Sequence, residues 1–281
     1  MVPEAGGGLA AFDWIALGGA VPLMRALPAG TSNPEPNLLA CYPLVPWSNR
    51  IGHARFEFGG KTWQVAPNYP KEPYPIHGEG WLNRWSTLRR SEEMLVLGLD
   101  RREGSPFAYT AQLAYTLDRA ALVMELSVVN RGAEPMLYGL GLHPWFERTP
   151  QVTLHAPARG MWLGGPDLLP IAHALPPADA DFSSPRPLPR RLLDNCFTGW
   201  NGTAVIEWKE RHVELHIETT PRLTYYVCYC PVGKDLFCFE PVTHPIDAFN
   251  LPEPFTRAGL KALAPDEHMS ICVTFRAAAK P

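Results

Sequence analysis

The sequence predicts an all-β chain of stacked, mainly antiparallel sheets, forming one domain over residues 1–281. Three observations carry that prediction. Short runs of alternating, β-branched or aromatic character recur along the chain, a dozen or more of them, punctuated by turn residues. The chain has 31 prolines, about twice the usual share of roughly 5%, which suits short strands and irregular loops and disfavours long helices. Nine Trp, nine Tyr and twelve Phe supply rings for a core between sheets. Aromatic rings also suit sugar binding, because a ring can cover the apolar C–H face of a pyranose.

Taken in order, residues 1–45 are rich in Gly, Ala and Pro, with candidate short strands at 11–16 and 22–25. The alternating runs 55–58 and 61–65 flank Gly59-Gly60 and predict a β-hairpin. A Pro/Tyr/Gly-rich loop over 67–80 carries His77-Gly78. The clearest strands are 94–101, 107–117 and 121–129, and over 107–115 recurrent Tyr and Thr favour strand over helix. A further strand over 136–142 ends at His143-Pro144. Residues 156–191 predict a long surface excursion, because Pro176-Pro177 and the Pro-rich run after Ser183 break regular structure. Strands resume at 203–208, 212–218, 223–230, 236–239 and 268–276, with a short helix over 254–263.

Composition excludes several classes. A formal net charge of −3 without a basic block argues against nucleic acid and against an anionic membrane surface. No apolar run approaches the roughly 20 residues of a membrane helix, and the N-terminus lacks a basic start followed by an apolar core. Six cysteines without a C-x-x-C pair read as buried free thiols, and a cytoplasmic location is expected. Phosphate-loop, zinc-helix and nucleophile-elbow motifs are missing. His212 and His216 would share one strand face, but without a third ligand they do not make a metal site.

What remains is a set of polar residues, each at the end of an apolar run. In the stretch Leu236-Phe237-Cys238-Phe239-Glu240-Pro241, one carboxylate closes an aromatic strand. Pro241 cannot donate to a ladder, so the ladder is expected to break there and hold Glu240 at a strand end. Burial would raise its pKa toward that of a general base working near neutral pH. His143 follows Leu142 before Pro144-Trp145, Arg50 follows Trp47-Ser48-Asn49, His77 follows Ile76, and Asp194 sits among Leu192, Leu193 and Cys196. Singly, each has an ordinary structural reading: an edge-strand Glu in water, a solvated Arg, a loop His, a satisfied core His, a capping Asp.

Together these segments resemble the aldose 1-epimerases (galactose mutarotases). The resemblance rests on Asn49-Arg50-Ile51, Phe58-x-Gly60, His77-Gly78, His143-Pro144-Trp145-Phe146, Asp194-Asn195-Cys196-Phe197 and Glu240-Pro241-Val242-Thr243. Each motif is weak alone, but their shared order is specific, and they span about residues 3–275. The resemblance implies the galactose mutarotase-like β-supersandwich. It also implies interconversion of the anomers of a free aldose without metal or organic cofactor. Glu240 would be the base and His143 the acid, with Arg50, His77 and Asp194 contacting the sugar. A nearby carboxylate would favour a protonated His143. Trp47, Trp81, Trp145 and Trp200 are candidates for packing on the sugar. The implied partner is a small sugar, with the chain a monomer or homodimer.

Two departures bear on this. The best-known galactose mutarotases carry Asn-His followed by Tyr-Phe at the acid position, whereas this chain has Leu142-His143-Pro144-Trp145-Phe146, which resembles a divergent branch. Family members usually have a strand before the segment seen here at Pro3-Glu4-Ala5-Gly6-Gly7, and only Met1-Val2 precede it. Two other readings stay open. A hexose-6-phosphate 1-epimerase would need cations for the phosphate, with Lys71, Arg84 and Arg102 in plausible loops. A non-catalytic carbohydrate-binding protein would be expected to lose Glu240 or His143.

Overall fold

Two antiparallel sheets of unequal regularity stack on one another. A computed structural model describes residues 1–281 apart from 17, 18, 105, 253, 256 and 281. Sheet I has nine strands in the order Arg186–Pro187, Val152–His155, Thr203–Trp208, Val213–Thr220, His268–Ala279, Ala121–Asn130, Tyr109–Asp118, Met94–Arg101 and Ser86–Arg90. Sheet II has eight: Pro170–Ala174, Gly160–Gly164, Leu193–Thr198, Tyr225–Cys230, Leu236–Val242, Gly141–Leu142 and Pro43–Leu44, with Trp145–Glu147 also pairing Leu236–Val242. Among the described residues, every helical element is a three-residue 3-10 turn. None of them is long and apolar enough to cross a membrane.

The core lies between the sheets. In sheet I, Leu113, Tyr115, Met124, Leu126, Val273 and Phe275 are buried. They alternate with partly or fully exposed residues, the pattern of a sheet wet on one face. Sheet II answers with Phe146, Phe197, Tyr226, Phe237 and Phe239. Phe146 of sheet II meets Trp208 of sheet I at 6.4 Å between ring centroids. The opposite face of sheet II is also covered. Cys196, Val227, Cys238 and Val242 pack there against Tyr42, Ile76 and Trp81, which come from the connections before and after the hairpin Arg55–Phe58/Lys61–Gln64. A strand buried on both faces reads as a continuous apolar run rather than an alternation, which accounts for the character of 236–242.

The hairpin Arg55–Phe58/Lys61–Gln64 forms around Gly59 and Gly60, both at positive φ, as the Gly-Gly pair requires. Four expectations are corrected. The strand does not break at Pro241: Leu236–Val242 runs through it, with Pro241 opposite Tyr226. The predicted strand 136–142 divides at Gly139-Leu140. Its first part pairs with Lys261–Leu263, and its second joins sheet II. That pairing also replaces the expected helix over 254–263, where turn hydrogen bonds lead into the strand and Gly259, at φ +74°, packs on the Thr243 backbone. Thr256 of that segment lies outside the described residues. Finally, 156–191 is not wholly an excursion, because Gly160–Gly164 and Pro170–Ala174 form a hairpin that extends sheet II.

Candidate active site

The interruption in sheet II lies beside strand Leu236–Val242, not within it. On one side of the gap Gly141 pairs with Val242; on the other Trp145 pairs with Cys238. The register is the same on both sides and places His143 opposite Glu240. Thr243 donates to the Leu140 carbonyl at 2.9 Å, so odd-numbered residues of this strand aim their backbone groups at 140–147. Pro241 then faces Leu142, and Phe239 faces Pro144. Each rung lacks the donor its proline cannot supply. Between them, His143 and Glu240 form a non-hydrogen-bonded pair, the type in which facing side chains come closest. The two prolines thin the ladder around one acid–base pair.

That pair is buried, with Glu240 2% and His143 6% exposed, and His143 Nε2 lies 3.3 Å from Glu240 Oε1. His143 Nδ1 and Glu240 Oε2 have no hydrogen-bond partner among the described residues. Native buried polar atoms are almost always paired, so these two are the atoms a ligand would satisfy. The imidazole is held flat between rings. Tyr42 stacks at 4.5 Å and Trp145 at 5.4 Å, and the Arg25 guanidinium lies 4.5 Å from the Trp145 ring centroid.

Arg50, His77, His143, Asp194 and Glu240 all line one cavity of about 270 Å³. This is near the lower end of small-ligand sites, roughly 300–1,000 Å³, a size for one sugar ring. Asp194 shares the cavity face of sheet II with Glu240: it pairs with Tyr229, which pairs with Cys238. The two N-terminal motifs are knitted together. His77 N–H donates to the Asn49 carbonyl at 2.9 Å, and Asn49 N–H donates to His77 Nδ1 at 3.1 Å. The second bond leaves the neutral ring's proton on Nε2. His77 and Gly78 both sit at positive φ, and a Cβ at Gly78 would collide with the Val45 carbonyl. The His-Gly dipeptide is therefore a backbone requirement, with the strain at His77 typical of a functional position.

Burial sets the protonation states. It pushes Glu240 well above the usual carboxylate range; the Asp194 charge adds to this and the Arg50 charge opposes it. It pushes His143 down to about 3, assisted by the Arg25 charge, and lowers His77, with the nearby His143 and Arg50 adding to the effect. Burial thus works against the expectation that a neighbouring carboxylate keeps His143 protonated. Asp194 is also raised by burial, against the pull of Arg50. For Arg50, burial opposes its charge, and hydrogen bonds and charge from Glu72 and Asp194 outweigh it.

The other expectations divide. Trp81 and Trp145 line the cavity, but Trp47 and Trp200 lie in the core between the sheets. Lys71, Arg84 and Arg102 do not line it: Lys71 pairs with Glu35, Arg102 with Asp100, and Arg84 is exposed. His212 caps a 3-10 turn before strand Val213–Thr220 rather than sharing its face with His216. His143, Cys238 and Glu240, all buried, offer possible metal-ligand atoms within 4.8 Å of one another. Sequence reasoning missed Glu72 and Tyr42. Glu72 sits in an ordinary-looking polar loop and Tyr42 in an apolar run, and nothing local marks either.

Comparison with known proteins agrees with this geometry. A family model described as aldose 1-epimerase matches residues 21–275. The Escherichia coli (strain K12) protein YphB, itself uncharacterized, is 36% identical over 237 residues, 81% of this chain and 80% of that protein. The crystal structure of a candidate aldose 1-epimerase from Escherichia coli K12 superposes with a TM-score of 0.90 at 34% identity, covering 98% of this chain and 94% of that one. A galactose mutarotase-like protein from Clostridium acetobutylicum shares the fold at a TM-score of 0.83 and 18% identity, covering 99% and 91%. Matched by the family model over most of its length and by a relative at this identity, the chain belongs to the aldose 1-epimerase family.

Proposed function

We propose that the protein interconverts the α and β anomers of a free aldose, with Glu240 and His143 exchanging protons with the sugar. The observation that supports this best is the buried 3.3 Å contact between the two side chains at the wall of a one-sugar cavity. The pair needs one proton between its members. Glu240 takes the proton of the anomeric hydroxyl, His143 gives one to the ring oxygen, and the C1–O5 bond breaks to leave the open-chain aldehyde. Rotation about C1–C2 turns the other carbonyl face toward O5. Reversing both transfers closes the ring as the opposite anomer and restores the pair. Opening converts the charged form (Glu⁻, His⁺) into the neutral form that burial favours. Burial therefore works with the opening step once Glu240 has passed its proton to His143. Arg50 and the Nε2–H of His77 are suited to donate to sugar oxygens, and Asp194 to accept from hydroxyls.

The test is anomer exchange by NMR on glucose, galactose, arabinose, fucose and glucose 6-phosphate, with wild type and Glu240→Gln. The wild type is expected to accelerate exchange for at least one free sugar. Glu240→Gln should lose about 10²–10⁴-fold, the usual contribution of a general acid or base, while still binding. No acceleration above buffer for any sugar overturns the enzymatic reading, and binding without acceleration makes the protein a carbohydrate-binding one.

A further inference from the structure

Arg50 is the one cation among the described residues lining the cavity, once His77 and His143 are held neutral. Four of its five N–H groups are engaged, which leaves one on Nη2 for a sugar oxygen. Nε donates to Glu72 Oε2 at 2.8 Å and Nη2 to Glu72 Oε1 at 3.2 Å, while Nη1 lies 3.4 Å from Asp194 Oδ2 and 3.3 Å from Asn49 Oδ1. The Nε/Nη2 edge is the fork with which an arginine takes a phosphate or carboxylate in two parallel bonds. Here an internal carboxylate already fills it. Glu72 is held by the turn in which its N–H donates to the Tyr69 carbonyl at 3.2 Å, and its side chain is 21% exposed at the cavity.

The charges at this end therefore sum to one cation against two carboxylates, Glu72 and Asp194. The Glu240–His143 pair holds one shared proton and adds no net charge. Glu72 and Asp194 meet different nitrogens of Arg50, and it is Asp194, not Glu72, whose charge reaches Glu240. Arg50 and Glu72 line the same cavity as Glu240, and on the ring-opening reading, with the anomeric carbon at Glu240, the remote substituents of the sugar would be the ones to meet them.

We propose that Glu72 is a specificity-determining residue that closes Arg50 to anionic sugars, so that the site takes neutral aldoses and rejects those with a phosphate or carboxylate remote from C1. This rests on the ring-opening reading for the orientation of the sugar. A second anion at this end would have to displace Glu72 from Arg50 or approach an end that is already net negative. Removing the Glu72 charge releases the fork for a ligand anion.

The experiment compares wild type, Glu72→Gln and Glu72→Ala on glucose against glucose 6-phosphate, and on galactose against galacturonate. Anomer exchange by NMR and direct binding by calorimetry are both measured at two ionic strengths. The wild type is expected to prefer the neutral member of each pair. Both variants should raise the anionic-to-neutral ratio at least ten-fold, and the gain should shrink at higher salt, as screening over about 10 Å at 0.1 M requires. A merely structural Glu72 would lower both members together and leave the ratio unmoved. The proposal is overturned by an unchanged ratio in both variants, or by a wild type that takes glucose 6-phosphate as readily as glucose. If no sugar is exchanged by any form, the mutarotase reading fails instead, and the binding ratios still decide the role of Glu72.

Discussion

Sheet I and sheet II use the same strand chemistry to different ends. The central strands of sheet I are long and in unbroken register: Tyr109–Asp118 and Ala121–Asn130 pair along their whole length, and one face is wet. Sheet II is short-stranded, covered on both faces and missing rungs at Pro144 and Pro241. A regular sheet satisfies every backbone group and leaves nothing over for chemistry. The interrupted one keeps the register while removing two donors, and so brings a carboxylate and an imidazole face to face where water is scarce. The site is a defect in a ladder whose geometry the flanking rungs still impose.

The sharpest way to break this comparison is at the pair itself. Glu240→Gln should lose most of the exchange rate without any loss of melting temperature, because the amide replaces a carboxyl whose charged form burial disfavours. The sign follows from linkage. A carboxyl whose pKa is raised in the folded state binds more protons folded than unfolded, so its contribution falls as pH rises above the unfolded value near 4.3. The variant should therefore gain stability relative to wild type as pH is raised, in thermal melts from pH 5 to 8. A variant destabilised throughout that range would mean that Glu240 is a structural partner of His143.

Leu126→Ala in sheet I should do the opposite. Leu126 is fully buried between the sheets, and such truncations cost about 2–5 kcal/mol. Urea titration should show that loss, while the exchange rate per folded molecule stays near wild type. A large fall in rate without a loss of stability would remove the distinction between the sheets.

Next comes the acid limb of stability. His77, His143 and His244 are kept neutral by burial, His143 down to about 3 and His244 to about 4. Below about 6.5 the unfolded chain binds protons that the folded chain refuses, so stability is lost as pH falls from 6.5 toward 4. His244, whose Nε2 accepts from Ser48 N–H, contributes on the order of 3 kcal/mol to this limb. Melting temperatures constant between pH 6.5 and 4.5 would contradict the neutral assignment. The smallest effect is expected at Ile171, 68% exposed on the edge strand of sheet II. Ile171→Thr should change stability by less than about 0.5 kcal/mol. A larger cost would show that membership of sheet II, rather than burial, sets sensitivity.

Much of this was legible before any coordinates. Alternation marked the central strands of sheet I because each has one wet face, and the apolar run 236–239 marked a buried strand. The order of Arg50, His77, His143, Asp194 and Glu240 marked the site through family resemblance, and the cavity brings all five together. Misreadings fell where context overrode local signals. Pro241 looked like a strand end because proline cannot donate, but its donor side faces the gap beside the strand, while the other edge keeps pairing with Tyr225–Cys230. The segment 160–174 looked like loop because Gly and Pro surround it, yet a sheet edge was available to receive it.

The sequence alone determined which residues could be strand and which polar groups had apolar neighbours, because those follow from side-chain type and a period of two along the chain. The tertiary structure decided which of those groups meet. Arg50 and Asp194 are 144 positions apart and 3.4 Å apart in space, and Glu72, unremarkable in its loop, fills the arginine's fork. It also set the electrostatics of the central pair. Charge proximity alone favours an ion pair, but the depth of burial is a property of the packed sheets, and desolvation there works against charge on either member.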